Sequence, residues 1–332
     1  MAPPQRANVK DVAARAGVSV GTVSNVLNRP DVVSKATLNK VKAAMSELNF
    51  HRNASARHLR AGISSTVGVV VQDIRNPFYT ELARGIEDRL TEDDQSLIIC
   101  SSDSDPLREA RCLRMLAEQG VRGVLITPTS VGTQNLNGLA GMGISWVLMD
   151  TELPGQPCVS VDNVLGGYQA VAHLLGRGHR RIGVIAGIKG LQTSDQRCEG
   201  AVKAVVEAGL DPTKVLQITQ LNEHNANAGQ AATRELLDAA NPPTAIFTIN
   251  DIVALGVLRE ARARGIDVPQ QLAVVGYDDI FLAQELMVPL SSVRQPMWGL
   301  GWAAADMLLD DTDHPPFTPD LIVRASSDHQ RS

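Results

Sequence analysis

The 332-residue chain is 44% hydrophobic and 20% charged, which excludes a disordered or fibrous protein and supplies apolar material for two or three compact units. No run approaches the ~20 uncharged apolar residues of a membrane helix, and the N-terminal MAPPQRANVKD has no apolar signal segment, so a cytoplasmic location is expected. The net charge of -5 is unevenly spread: residues 1–60 hold ten basic and three acidic side chains, and the remainder 21 basic and 33 acidic.

A small basic head on a larger acidic body suits phosphate binding by one end, because neutralising phosphates releases counterions. A merely solvated charged surface is the alternative. In the head, Asn8 is placed to cap a helix whose apolar positions Val9, Val12, Ala13 and Ala16 fall at i, i+3, i+4, i+7, and Gly17 ends it. Ser19 caps a second short helix, and the tight Ala-Gly-Val-Ser link between the two is a helix-turn-helix signature. At 100° per residue Val23, Val26 and Leu27 share the inward side, whereas Gly21 and Asn25 point the opposite way and Val20 lies on the first exposed turn. These are the positions best placed to meet base edges in a major groove, with Thr22 among them in the DNA-facing set. A third helix from Ser34, with Leu38, Val41, Met45 and Leu48 at 3,4,3 spacing, closes a three-helix core.

The next segment, 53–62, has a cap at Asn53 and a stop at Gly62 but room for only about two turns, a length marginal for an isolated helix. It is expected to order only on DNA or on a dimer mate. Leu59, flanked by Arg57 and Arg60, suits either linker packing or an apolar wedge between base pairs with the arginines on phosphates.

The run from Val9 to Gly62, which includes DVAARAGVSVGTVSNVLN, resembles the DNA-binding head and hinge of the lactose-repressor (LacI/GalR) family, following the pattern DVA-x-x-AGVS-x-x-TVS-x-VLN. The resemblance implies base reading by Val20, Gly21 and Asn25 and a minor-groove lever at Leu59, which favours the wedge. Arg52 departs from the proline often found there.

After the hinge, apolar runs at 66–71, 96–101, 123–127 and 145–150 alternate with amphipathic stretches at 79–90 and 107–118, and the pattern restarts with strands at 181–186, 214–218, 244–249 and 272–277 and helices around 197–208, 226–239 and 251–263. Near-continuous apolar strands separated by helices imply an α/β fold with parallel sheets covered on both faces. Two such sheets face each other across a cleft, and ligands in doubly wound sheets sit beyond the carboxyl ends of the strands. The polar residues there are Asp73, Asn76, Asp103, Asp150, Arg197, His224, Asn250, Asp251, Asp278 and Asp279. Carboxylates, amides and one arginine beside the aromatic pair Phe78-Tyr79 suit a neutral polyol, although Asn250 and Asp251 could simply cap a helix and Phe78 could belong to the core. Cys100, Cys112, Cys158 and Cys198 have no CxxC spacing and read as buried free thiols, with no metal site and no cofactor expected.

The body is similar to the same family through NPFYTELARGIE, VSVDNVLGGYQAVAHLLGRGHRRIGVIAG, DQRCEGA, ND-x-x-ALG, VGYDD and LIVR. The resemblance implies a periplasmic-binding-protein-like core and effector contacts from Phe78, Asp150, Arg197, Asn250 and Asp278, with His224 lining the pocket. Leu191 stands where the purine-binding branch has arginine, which leaves a carbohydrate as the expected effector. The implied organisation is a helix-turn-helix domain at 1–52, a hinge at 53–65 and a core at 66–332, with one half at about 66–161 plus 294–325 and the other at about 162–293. A homodimer on a pseudo-palindromic double-stranded operator is expected, since no leucine heptads follow Arg324. An enzyme is disfavoured, because GxSxG, Walker A and HExxH motifs are absent and no GxGxxG follows the first strand; an activating or effector-independent DNA binder remains the other alternative.

Overall fold

The computed structural model describes residues 7–50, 64–129 and 134–330. The chain divides into two compact units, Met1–Ile63 and Ser64–Ser332. The expected hinge helix, with Arg57 and Leu59, lies outside the described residues.

The first unit holds α1 (Val9–Ala16), α2 (Val20–Asn28) and α3 (Lys35–Glu47). Each start is fixed by a side chain that satisfies amides left unpaired in a first turn. Asn8 accepts from the amides of Lys10 and Asp11 while the Asp11 carboxylate accepts from Asn8 N–H, a reciprocal capping box. Ser19 accepts from Thr22 and Ser34 from Thr37. Gly17, at φ 65°, takes the left-handed turn that ends α1. Val12, Val23 and Val41, one from each helix, are fully buried at the centre of this small core.

The second unit contains two sheets. The first uses β1 (Thr66–Val71), β2 (Ser96–Ser101), β3 (Gly123–Ile126), β4 (Ser145–Met149) and β5 (Cys158–Val159), in the order β2-β1-β3-β4-β5 and parallel throughout. Its sequence-local helices are α4 (Pro77–Glu92), α5 (Pro106–Glu118) and α6 (Gln134–Ala140). The second half begins with α7 (Asn163–Gly176), β6 (Ile182–Ala186), α8 (Gln192–Glu207), α9 (Pro212–Val215) and β7 (Leu216–Gln220). It continues through α10 (Ala226–Asp238), β8 (Ala245–Thr248), α11 (Asp251–Ala263), β9 (Ala273–Asp278), α12 (Leu282–Glu285) and β10 (Ser291–Arg294). The chain then returns to the first sheet as α13 (Met297–Asp310) and ends in the second as β11 (Asp320–Ile322).

The second sheet runs β11-β10-β9-β8-β6-β7, with only the β10–β11 pair antiparallel. This corrects the expected boundary at 325: the span returning from 294 leaves the first half before β11, which pairs residue by residue with β10 in the second. The crossover strands are tied together by Asp162 N–H donating to Phe317 O at 2.9 Å and Phe317 N–H to Ser160 O at 2.8 Å. The four cysteines are free and half-buried rather than fully buried.

In both sheets the strand order reverses beside the first strand, between β1 and β3 and between β6 and β8. These are the topological switch points, where the loops diverge and leave a crevice. Helix α4, which opens at one crevice, is held against α13 by direct backbone contact. A Cβ on Gly85 would lie 1.9 Å from Trp298 O, and one on Gly301 would lie 2.0 Å from Leu82 O. Packing this close fixes where α4 starts, and hence where Phe78 and Tyr79 sit.

Candidate functional site

In the head, Val23 and Val26 are buried, whereas Gly21, Asn25 and Val20 are exposed, Val20 by 46%. The helical wheel thus separates the faces of α2 as read from sequence. An exposed valine with no core to join is the kind of apolar side chain that meets a thymine methyl group. Thr22 is half-buried and shares a 2.9 Å hydrogen bond with the capping Ser19, so its hydroxyl is partly committed to the helix start. Arg15 pairs with Glu47, which ties its charge to the fold, while Lys10, Arg29, Lys35, Lys40 and Lys42 are exposed.

In the larger unit, one cavity of about 430 Å³, including solvent at its mouth, lies at the switch points of both sheets. All six residues read from the sequence, Phe78, Asp150, Arg197, His224, Asn250 and Asp278, line it. Phe78 is both core and wall: it is 3% exposed and meets Tyr79 edge to face at 5.0 Å.

Arg197 is the electrostatic centre. Its Nε donates to Asn163 Oδ1 at 2.8 Å and Nη1 to Ile249 O at 2.6 Å. Its guanidinium lies 3.6 Å above the Tyr277 ring, 3.8 Å from Asp150 and 4.0 Å from Asp278. Asn163 organises this group, since its oxygen also accepts from Tyr277 OH at 3.2 Å and its amide donates toward Asp150 at 3.4 Å. A Cβ on Gly166 would lie 2.2 Å from that hydroxyl, so only glycine leaves it room.

Two buried carboxylates share this one cation. Burial pushes Asp278 up to about 7, with Arg197 and a 2.8 Å hydrogen bond from Gln295 opposing and the nearby Asp150 charge adding to the rise. Burial raises Asp150 as well, against Arg197 and Asn163. Both aspartates have left-handed backbone, at φ 53° for Asp150 and φ 103° for Asp278. Aspartate tolerates this region better than most side chains, and such strain gathers at binding sites.

His224 accepts a 3.0 Å hydrogen bond from Ile188 N–H at Nε2. A main-chain N–H can only donate, so Nε2 carries a lone pair and the ring proton is on Nδ1. Burial, helped by the Arg197 charge, holds its pKa down at about 4 and the ring neutral. Asn250 Oδ1 caps α11 through Val253 N–H, while the residue also lines the cavity.

Of the other polar strand-end residues, Asn76 also lines the cavity, whereas Asp73, Asp103, Asp251 and Asp279 do not. Asp251 is buried behind it, accepting from Ser292 Oγ and Ile280 N–H. Asp279 holds Arg294 and Arg324, and Asp103 holds Ser101 and Arg108. Sequence reasoning missed the wall residues Gln72, Thr127 and Thr193, and the supporting Asn163 and Gln295. Gln72 and Thr127 follow β1 and β3 directly, and that position was the available signal.

The raised Asp278 has a stability consequence. Its folded pKa of about 7 exceeds the unfolded value of ~3.9, so between these values the folded state binds more protons. The Asp278 contribution to stability is therefore most favourable below about pH 4 and is lost as pH rises toward 7. Urea unfolding of Asp278→Asn is expected to lack this downward slope between pH 5 and 7; a slope equal to wild type would contradict the assignment.

A helix-turn-helix head joined to a two-sheet core with a polar cleft defines a ligand-responsive DNA-binding regulator. The family of bacterial regulatory proteins called lacI matches residues 8–53, and the periplasmic binding protein-like domain matches residues 171–327. The chain is 35% identical over 334 residues to the ribose operon repressor of Escherichia coli (strain K12), covering 97% of this chain and 100% of that protein. Among solved structures, the transcriptional regulator CelR–cellobiose complex is 33% identical, with a TM-score of 0.70 and coverage of 97% of this chain and 100% of that one. The lac repressor dimer bound to operator and the anti-inducer ONPF is 25% identical, with a TM-score of 0.85 and coverage of 97% and 99%. This chain belongs to the lacI family of bacterial regulatory proteins. It is a sequence-specific DNA-binding transcriptional regulator and not an enzyme. Among the described residues no helix is long and apolar enough to cross a membrane.

Proposed function

We propose that the protein is a cytoplasmic, homodimeric repressor whose grip on a pseudo-palindromic operator is set by a neutral, unphosphorylated sugar in the cleft. Val20, Gly21, Thr22 and Asn25 face the bases, and Leu59 and Arg57 bend and hold the operator centre from the hinge. Phe78, Asp150, Arg197, His224, Asn250 and Asp278 contact the sugar.

The observation that supports this most is the pairing of one buried arginine with two buried carboxylates. Ionised carboxylates accept from neighbouring hydroxyls, and the Arg197 and Asn250 donors meet hydroxyl or ring oxygens. With His224 neutral, the wall has no surplus positive charge, so a phosphate or carboxylate on the ligand would face like charge at a cost of several kcal/mol. The bound ribose and cellobiose of related structures are neutral sugars of this kind.

Calorimetric titration of the full-length protein with a panel of neutral pentoses, hexoses and disaccharides and their phosphate esters tests the reading. At least one neutral sugar is expected to bind, and its phosphate ester about 100-fold more weakly. Silence across the panel would overturn the sugar assignment, and tighter binding of the phosphate would overturn the charge argument.

A further inference from the structure

We propose that Gln192 is a clasp between the two halves of the core that sets the balance between a closed and an open cleft; its regulatory meaning rests on the cleft being the effector site. Gln192 opens α8 in the second half, and Glu152 follows β4 in the first. The Gln192 side chain meets the Glu152 backbone at two points. Its Oε1 accepts from Glu152 N–H at 2.8 Å, and its Nε2 donates to Glu152 O at 2.9 Å. This is the hydrogen-bonded pair of a β-ladder with a side-chain amide in place of one strand. Among side chains of this length only an amide supplies both roles at once, since a carboxylate lacks the donor and an ammonium the acceptor.

The position gives the pair its consequence. Asp150 and Thr151, just before Glu152, line the cavity, as do Leu191 and Thr193 on either side of Gln192. The clasp therefore joins the two walls at the edge of the site. Other contacts across the cleft, such as Arg197 with Asp150, lie inside it, where a ligand competes for the same atoms. The Gln192 pair uses backbone atoms just outside the lining, so a ligand leaves it intact.

Both ends are prepared. The Glu152 carboxylate accepts from Ser160 Oγ within its own half, which fixes the loop that presents the backbone atoms. The α8 start at Leu191 has no side-chain cap, unlike the Asn- and Asp-capped starts of α4, α5, α7, α10 and α11. Gln192 thus spends its amide across the cleft rather than on its own helix. Opening the cleft exchanges both bonds for bonds to water. Each such exchange shifts an equilibrium by about two- to tenfold, and together they bias the cleft by about tenfold toward closure.

Amide hydrogen exchange on the full-length protein without ligand reads the clasp directly, because among the described residues the Glu152 N–H donates to Gln192 Oε1 alone. A fragment spanning 150–157 is expected to exchange at least about fivefold more slowly in wild type than in Gln192→Ala or Gln192→Glu, with exchange over β8 and the urea midpoint unchanged. Small-angle X-ray scattering is expected to show a larger radius of gyration for both variants. Equal exchange in wild type and variants would overturn the clasp whichever sugar binds. A protein that shows the exchange difference but binds no sugar keeps the clasp and loses the effector reading.

Discussion

Replacing Arg197 with methionine is expected to cost the core about 3–5 kcal/mol at pH 7 and to abolish sugar binding, because it leaves two buried carboxylates without their cation. The residue is almost entirely enclosed, with its hydrogen bonds going to Asn163 and the Ile249 carbonyl and its charge to Asp150 and Asp278. Methionine fills the space but supplies no donor. Burial already raises both carboxyls above their ordinary values in the presence of Arg197, and without it they rise further. Since the penalty at neutral pH is that of keeping them charged or protonating them, it shrinks as pH falls, and the variant is expected to recover much of its deficit near pH 5. Urea unfolding of wild type and variant at pH 5 and 7 measures this. A deficit that does not change with pH would mean that Arg197 acts through packing alone.

The second large effect is expected at Gly85. A leucine there places its Cβ where the Trp298 carbonyl oxygen sits, 1.9 Å away, and backbone on both α4 and α13 leaves nothing flexible to yield. The helices must separate, which removes contacts between Leu82 and Ile86 on one side and Leu300 and Ala304 on the other. Overpacking typically costs 1–3 kcal/mol, and a backbone collision sits above that range at about 4 kcal/mol or more. Because α4 carries Phe78 and Tyr79 into the cleft, Gly85→Leu is expected to reduce sugar binding in whatever fraction remains folded. A urea midpoint within error of wild type would show that the close approach is dispensable.

The parts of the fold that could be read from sequence are those governed by local rules. Strands β1 and β2 follow from apolar runs that end at polar residues, and the head follows from Asn8, Ser19 and Ser34 satisfying first-turn amides. Errors occurred where distant partners decide. Helix α8 starts at Gln192 rather than near 197, because its uncapped beginning offers no Asn, Asp or Ser signal. Strand β7 is Leu216–Gln220 rather than 214–218, since Pro212 after the capping Asp211 first turns the chain through one helical turn. The location of β11 depends on antiparallel pairing with β10, which no local pattern encodes.

The same division runs through the cleft. A polar residue after a strand is visible in sequence, and the six named positions line the cavity. The role of Asn163 depends on Arg197, 34 residues away, and on Tyr277, 114 residues away, and Tyr277 lies beneath a guanidinium that is itself distant in the sequence. Asp251 and Asp279 carry the same local signal as Asp278 yet are used internally, to hold Ser292 and two arginines.

Occupancy of the cleft by a neutral sugar is expected to change the grip of the head on its operator. Fluorescence anisotropy of full-length protein on a duplex selected from genomic fragments, at one fixed salt concentration with and without the sugar found by calorimetry, measures this coupling. A change in operator affinity of about 5–150-fold, with little change on random duplex, is expected. Identical operator affinity with the sugar site empty and saturated would show that the cleft and the head are not coupled.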